Sequence, residues 1–222
     1  MKLLVSDYDG TLKSNIRNLY LNICAINKFI QNGNKFIIAT GREYESIKKE
    51  INLYEINYDY LICNNGLIIF DKDDKIINAL PLSEANFDFI CSSLKQEVSL
   101  EYSKYYNFYG LTVNPDNVLE IYAKFYTVES ASKFKKNLEI SNPLLECFQV
   151  NRRLFIGNKA TKATAISYLS NIIDIPSDDI NDKEMLENFN GYKVSKHNKK
   201  ALSKNIPKVR NVRTLVKKIS KK

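Results

Sequence analysis

Histidine is nearly missing from this 222-residue chain: the single His197 lies among basic residues near the C-terminus. Chemistry that depends on an imidazole base, or on a histidine-rich metal site, is therefore disfavoured. Cysteine is sparse as well. Cys24, Cys63, Cys91 and Cys147 stand singly in apolar surroundings, without the paired spacing of zinc or redox motifs. They read as small buried hydrophobes of a reduced, cytoplasmic protein. No apolar run approaches the ~20 residues of a membrane span, and the N-terminus opens on a strand pattern rather than on a signal peptide. What is present is a composition of 44% hydrophobic and 26% charged residues, which suits one globular unit or two small ones with real cores.

Acids are absent from the C-terminal segment, which is rich in bases. Residues 193–222 hold 12 Lys/Arg and no Asp/Glu, which leaves 21 Lys/Arg against 25 acids over residues 1–192. The net charge of +8 thus belongs to the C-terminal segment, and the rest of the chain is mildly acidic. Within that segment Val209, Val212, Leu215, Val216 and Ile219 recur at helical spacing. This predicts a docked amphipathic helix with a solvated basic face; contact with a polyanion is the rival reading.

Strand and helix signals alternate through the first third. A strand over Lys2–Ser6, a helix over Leu19–Gln31, a strand over Lys35–Ala39, a helix over Arg42–Leu53 and a strand over Tyr60–Cys63 predict a parallel α/β sheet with helices on both faces. Residues 80–152 change character. Helices over Ser83–Lys95 and about Glu129–Leu138, set between Tyr- and Phe-rich strands, predict a smaller inserted α+β domain. Tyr102, Tyr105, Tyr106, Phe108, Tyr109, Tyr122, Phe125 and Tyr126 are expected to be mostly core residues of its strands, with some near Tyr105–Tyr109 facing a cleft. A strand over Arg153–Ile156 and a helix over Thr161–Asn171 then return the chain to the first domain. The division is 1–79 with 153–222, and 80–152.

Four stretches carry chemistry, each at a strand end. Asp7-Tyr8-Asp9-Gly10-Thr11-Leu12 delivers two carboxylates to the C-terminal end of the first strand, where open α/β sheets bind ligands. The Gly10 turn bends the backbone, so that one side chain and a neighbouring carbonyl can share a hard cation. The glycine position excludes an EF-hand. Thr40-Gly41-Arg42 brings a hydroxyl and exposed N–H groups to a helix start, forming an anion cradle. Asn64-Asn65-Gly66 ends the third strand with amides able to bond a polar ligand. Lys162, with Lys159 as competitor, places a point charge at the start of the returning helix.

Together these motifs resemble the haloacid dehalogenase superfamily of phosphohydrolases, and within it the Cof-like branch with a C2-type cap inserted after the third strand. The resemblance implies a Mg²⁺-dependent phosphomonoester hydrolase acting on a small phosphorylated metabolite. Asp7 would be the nucleophile and Asp9 the general acid/base, its acid form favoured by burial. Thr40, Gly41, Arg42, Asn65, Lys162 and Asn181 would bind the phosphorylated substrate; Asp7, Asp9, Asp178 and Asp182 would hold the metal. No nucleic acid or membrane partner is implied. The rivals are a catalytically impaired relative that binds a phosphorylated ligand or partner, and a phosphotransferase or mutase of the same superfamily.

The fourth motif departs from the family pattern. Asn181-Asp182-Lys183-Glu184-Met185-Leu186 matches its second half. For the first half two alignments stand. In one, Ser177-Asp178 replaces Gly-Asp and Asn171–Ile175 serves as the strand. In the other, Ile175–Ile180 is a connector and the strand beside the first strand is missing from the chain, leaving core backbone groups to be paired elsewhere.

Overall fold

The computed structural model of the chain describes residues 1–173, 192–194 and 207–220. The first sheet has the order β1 (Leu3–Asp7), β2 (Lys35–Ala39), β3 (Tyr60–Cys63), β4 (Ile68–Asp71), β5 (Ile76–Ala79). β1, β2 and β3 run parallel, whereas β4 and β5 add antiparallel, so the sheet is mixed rather than wholly parallel. The β4–β5 hairpin was not among the expected elements. Its signal is the pair of apolar runs around Asp71-Lys72-Asp73-Asp74, where the Asp71 carboxylate accepts from the Asp73 and Lys75 N–H groups and Asp74 takes φ +63°.

Helices cover both faces of this sheet. α1 (Ile16–Gln31) and α2 (Tyr44–Tyr54) pack Leu19, Ile26, Phe29, Ile47 and Ile51 against Leu4, Phe36, Ile38 and Leu61. On the other face α5 (Lys162–Ile173) lays Ala163, Ile166 and Leu169 on Leu3, Val5, Ile37 and Ile62. α1 starts one turn before the expected Leu19, because the Asn15 side chain accepts from the Asn18 N–H and fixes the end there. α2 starts later than Arg42, because Glu43 caps it by accepting from the Ser46 N–H. Arg42 thereby stays in the loop that faces β1.

The second sheet is antiparallel, in the order β7 (Leu111–Thr112), β6 (Leu100–Tyr106), β8 (Glu120–Phe125), β10 (Arg153–Asn158), β9 (Leu145–Val150). α3 (Glu84–Lys95), capped by Ser83, and α4 (Val128–Ser141), capped by Thr127, cover one face. Strand alternation sends Ile121, Ala123, Phe125, Leu154 and Ile156 to the helices. Two expectations are corrected here. The strand at Arg153–Ile156 does not rejoin the first sheet: it pairs with β8 and β9, so the chain leaves the second sheet at Asn158 rather than at residue 152. The tyrosines are not mainly core either, since Phe125 is the one fully buried ring of the eight named above. Tyr102 and Tyr122 instead share the uncovered face with Phe148 and Phe155, in ring contacts 5.3–6.4 Å between centroids.

α5 continues to Ile173, so Asn171–Ile173 is helix, against the one of the two alignments that makes Asn171–Ile175 a strand; Asp174 and Ile175 lie outside the described residues. Apolar residues at helical spacing without Gly or Pro carry the helix to Ile173. Among the described residues β1 pairs with β2 alone. The last helix, α6 (Val212–Ile219), is docked as expected: Val212, Leu215, Val216 and Ile219 are buried, Arg213 N–H donates to Asn22 Oδ1, and Lys2 Nζ donates to the Ile219 carbonyl. A short parallel pair, β11 (Lys193–Val194) with β12 (Lys208–Val209), precedes it. No helix among the described residues is long and apolar enough to cross a membrane.

Candidate active site

β1 is a run of buried Leu3, Leu4 and Val5 that ends by presenting Asp7. The chain then turns. Leu12 N–H donates to the Asp7 carbonyl, Lys13 N–H to the Tyr8 carbonyl, and Gly10 takes φ +79°. This turn aims the two carboxylates differently. Asp7 Oδ1 accepts from Lys162 Nζ at 2.7 Å, a pair with both side chains largely buried. Asp9 swings to Arg42, which grips both its oxygens, Nε to Oδ2 at 2.7 Å and Nη2 to Oδ1 at 2.6 Å. Of the two competing lysines, Lys162 is therefore the one that meets Asp7.

The expected burial of Asp9 is corrected: its side chain is 54% exposed, because the turn carries it out to the guanidinium. Any step in which Asp9 handles a proton first requires Arg42 to release an oxygen. The hydrogen bond to Asp9 raises the pKa of Arg42 further, so the fork is a fixed cation. Behind it lies a network that the sequence did not disclose. Glu50, one helix turn beyond Ile47 on α2, accepts from Tyr8 Oη at 3.0 Å and pairs with Lys13, while Arg42 Nη1 stands 3.5 Å from its other oxygen. Lys13 chiefly, with help from Tyr8 and Arg42, holds the Glu50 carboxyl below its ordinary pKa. Arg42 also lies over the Tyr8 ring, 5.3 Å from its centroid.

β2 delivers Thr40, buried beside β3, where its N–H donates to the Ile62 carbonyl. Thr40 Oγ1 accepts from the Arg42 N–H at 3.1 Å, which leaves the hydroxyl proton free to donate. β3 runs into Asn64-Asn65-Gly66, a turn with three successive positive φ values of +47°, +55° and +109°. Asn64 N–H donates to the Arg42 carbonyl and Asn65 N–H to the Thr40 carbonyl. Two glycines permit the close approaches. A Cβ on Gly41 would lie 2.8 Å from Asn65 Oδ1, and one on Gly66 would lie 2.3 Å from the Thr161 carbonyl oxygen. At the start of α5, Thr161 and Thr164 cap each other reciprocally, each N–H donating to the other hydroxyl. Asp7, Asp9, Thr40, Gly41, Arg42, Asn65 and Lys162 are thus drawn to one end of the sheet.

Asp178, Asn181 and Asp182 lie outside the described residues. The Asp7 carboxylate and the main-chain carbonyl at Asp9 are hard oxygen donors of the kind a Mg²⁺ ion takes. Among the described residues no group of three His, Cys, Asp or Glu side chains forms a metal cluster.

A family model described as haloacid dehalogenase-like hydrolase matches residues 4–150, two thirds of the chain, including Asp7, Asp9, Thr40 and Asn65. An uncharacterized protein of Mycoplasma capricolum is 29% identical over 254 residues, spanning 91% of this chain and 94% of that protein. Those 254 positions exceed the 222 residues of this chain, so the relative carries at least about thirty residues with no counterpart here. The fold is shared with a haloacid dehalogenase-like hydrolase from B. subtilis, at TM-score 0.79 and 15% identity over 99% of both chains. It is also shared with a phosphatase of the haloalkanoate superfamily from Bacteroides thetaiotaomicron, at TM-score 0.80 and 18% identity, covering 100% of this chain and 94% of that one. A third likeness is the sucrose-phosphatase of Synechocystis, whose structure holds sucrose and phosphate, at TM-score 0.74 and 13% identity over 99% and 97%. The chain belongs to the haloacid dehalogenase-like hydrolases, in their Cof-like branch.

Proposed function

We propose that the chain is a Mg²⁺-dependent phosphomonoester hydrolase that works through an aspartyl-phosphate on Asp7. The observation that carries this reading is the Lys162–Asp7 contact of 2.7 Å at a strand end shared with Thr40 and the Asp9–Arg42 fork. A carboxylate approaching an anionic phosphoryl group meets charge repulsion, and a lysine touching that carboxylate is placed to offset it.

In the first half-reaction an Asp7 oxygen forms a bond to phosphorus as the bond to the leaving oxygen breaks. Asp9 supplies the proton that the leaving alcohol takes. In the second, Asp9 recovers a proton from water as the water oxygen bonds to phosphorus and the Asp7–phosphorus bond breaks, releasing inorganic phosphate. Lys162 and the Thr40 hydroxyl hold phosphoryl oxygens throughout, and the N–H groups around Gly41 and Arg42 extend that cradle. Arg42 leaves Asp9 for the incoming phosphate, which frees the Asp9 carboxyl for proton transfer. Asp7, the Asp9 carbonyl, Asp178 and Asp182 would hold Mg²⁺, which would supply positive charge against the phosphoryl oxygens.

The leaving group is read by the second sheet acting as a cap. Its uncovered face carries Tyr102, Tyr122, Phe148 and Phe155 beside Lys104 and Lys124. Stacking rings with cations between them suit a sugar phosphate. Sugar and sucrose phosphatases among the structures of like fold support the same class.

Mg²⁺-dependent release of phosphate from p-nitrophenyl phosphate, with Asp7→Asn as control, is the test. No release from that substrate or from a panel of sugar phosphates refutes the reading. A second reading, a catalytically impaired relative that binds a phosphorylated ligand, draws on helix α5 occupying Asn171–Ile173, where one alignment needs a strand. Phosphate binding by calorimetry without turnover would favour it.

A further inference from the structure

Strand alternation on the second sheet puts Glu120 on the uncovered face, in a row with Tyr106 on β6 and Gly157 on β10. That row does not face open solvent; it sits on the Asn64–Leu67 turn of the first sheet. Gly157 is the close-approach residue, since a Cβ there would lie 2.8 Å from Leu67 Cδ1. Leu80 N–H donates to the Leu67 carbonyl at 2.9 Å and pins the same turn from the linking strand. Glu120 is 5% exposed, and the partner it finds is Asn64, whose Nδ2 donates to Glu120 Oε1 at 3.4 Å. Asn64 is buried too, and its Oδ1 has no donor among the described residues.

We propose that Glu120 is a positioning residue: reaching across from the second sheet, it fixes the Asn64-Asn65-Gly66 turn against Thr40, Gly41 and the start of α5. This rests on the hydrolase reading for its catalytic consequence, though not for its structural one.

The geometry fits a carboxylic acid paired with a carboxamide. As the acid, Glu120 has one O–H to give and a carbonyl to accept. Asn64 has an N–H to give and an acceptor oxygen that lacks a donor, so the pair can close with two hydrogen bonds. As a carboxylate, Glu120 would leave Asn64 Oδ1 unsatisfied and would itself be a buried charge. Burial raises the Glu120 carboxyl to about 8, opposed by the Asn64 hydrogen bond. Among the described residues Tyr106 on β6 is the ionisable side chain that feels Glu120, with Glu43 ahead of α2 on its other side, and burial raises both Tyr106 and Glu43. Neither supplies a cation to hold a Glu120 carboxylate. The turn that Glu120 steadies has three residues at positive φ, a strained run that the main-chain bonds to Arg42 and Thr40 hold at its backbone and Glu120 holds at the Asn64 side chain.

The experiment compares the full-length protein with Glu120→Gln and Glu120→Ala. Amide NMR spectra between pH 6 and 9 should show Gly41, Asn65 and Gly66 shifting with a common midpoint near 8 in the unmodified protein and staying still in E120Q. With p-nitrophenyl phosphate and Mg²⁺, kcat/KM should fall above pH 8 in the unmodified protein. E120Q should lose that alkaline limb and keep at least a third of the pH 7 value, whereas E120A should drop tenfold or more. Glycine signals that do not titrate, or that titrate equally in E120Q, overturn the proposal. So does an E120A enzyme as active as its parent. If no phosphate is released by any form while the signals titrate as expected, the hydrolase reading fails and the positioning role stands.

Discussion

Gly66→Ala tests the arrangement of the site without touching a reactive group. Gly66 has φ +109°, outside the range that L-residues adopt with ease, and a Cβ there would lie 2.3 Å from the Thr161 oxygen, 2.6 Å from its carbon and 3.1 Å from the Lys162 nitrogen. All three are main-chain atoms of the α5 start, so no side chain can swing aside. A non-glycine residue in such a backbone region costs about 1–3 kcal/mol, and forcing an extra carbon into a packed contact costs roughly another 1–3 kcal/mol. The expected loss is therefore about 2–6 kcal/mol. Gly10→Ala is the internal control: it has φ +79° with nothing within 4 Å of the new Cβ, so the backbone term alone applies, at about 1–2 kcal/mol. The chain has no tryptophan, so urea unfolding is best followed by circular dichroism. With a slope of about 2 kcal/mol per molar urea, a 3 kcal/mol loss moves the midpoint down by about 1.5 M. Midpoints for the two variants that agree within error would refute the packing of the Asn64–Gly66 turn on α5. Relief of the clash by moving α5 would also carry Lys162 off Asp7, so phosphate release should fall with stability.

Lys162→Met removes the cation at Asp7 while keeping most of the side-chain volume, and should cut kcat for p-nitrophenyl phosphate by about 10²-fold or more; unchanged kcat would remove Lys162 from the mechanism. Arg42→Ala frees Asp9 and strips a cation from the cradle, so KM should rise more than kcat falls, a split read from steady-state kinetics at saturating Mg²⁺. Between the ordinary carboxyl value of 4.5 and about 8, the unfolded chain ionises Glu120 while the folded one keeps it protonated. Stability should therefore be full below 4.5 and decline as pH rises to 8, by up to ~1.4 kcal/mol per unit; urea midpoints for E120Q should lack this decline. Against the expectation of four buried cysteines, Cys24 is exposed and Cys91 half-buried, whereas Cys63 and Cys147 are buried, the latter with its thiol pushed up to about 12 by burial. An aromatic disulfide reagent should thus modify Cys24 at once in the native protein and reach Cys63 and Cys147 after unfolding.

How much of this could be read from the chain depends on how local each signal is. β1, β2 and β3 announce themselves as short buried runs ended by polar turns, and each of the three candidate phosphate motifs is contiguous with one of those ends. Period-3.6 patterns likewise give helices within a turn of their true limits, whereas the Asn15 and Thr127 caps emerge only in the structure. What escaped depends on tertiary pairing. Arg153–Ile156 reads as a strand in either sheet, and register with Lys124–Ile121 decides for the second. The tyrosines of β6 and β8 read as core because aromatics favour buried strands, yet alternate residues of a sheet covered on one face must turn outward. Glu50 and Glu120 gave no motif at all. One lies on an otherwise ordinary helix face, the other at a strand start, and each acquires hydrogen-bond partners 37 or more residues away.

The Asp9–Arg42 fork bears on why such a site can wait for substrate. Two carboxylates near a phosphate cradle repel an anionic ligand unless cations balance them, and here each acid has its own: Lys162 for Asp7 and Arg42 for Asp9. The pairs differ in accessibility. The Lys162 pair is largely buried and positioned by α5, whereas the Arg42 pair is half open to water, where an ion pair contributes about 1 kcal/mol or less. A phosphate with two negative charges offers the same two-bond geometry with more charge, so it competes well for a guanidinium that is open to water. Glu50 keeps Arg42 within reach of both positions, because it anchors the other edge of the guanidinium while Tyr8 underlies its plane. On the proposed mechanism, the acid that would exchange protons is thus the one whose partner can leave, and the acid that would stay ionised is the one whose partner is buried with it.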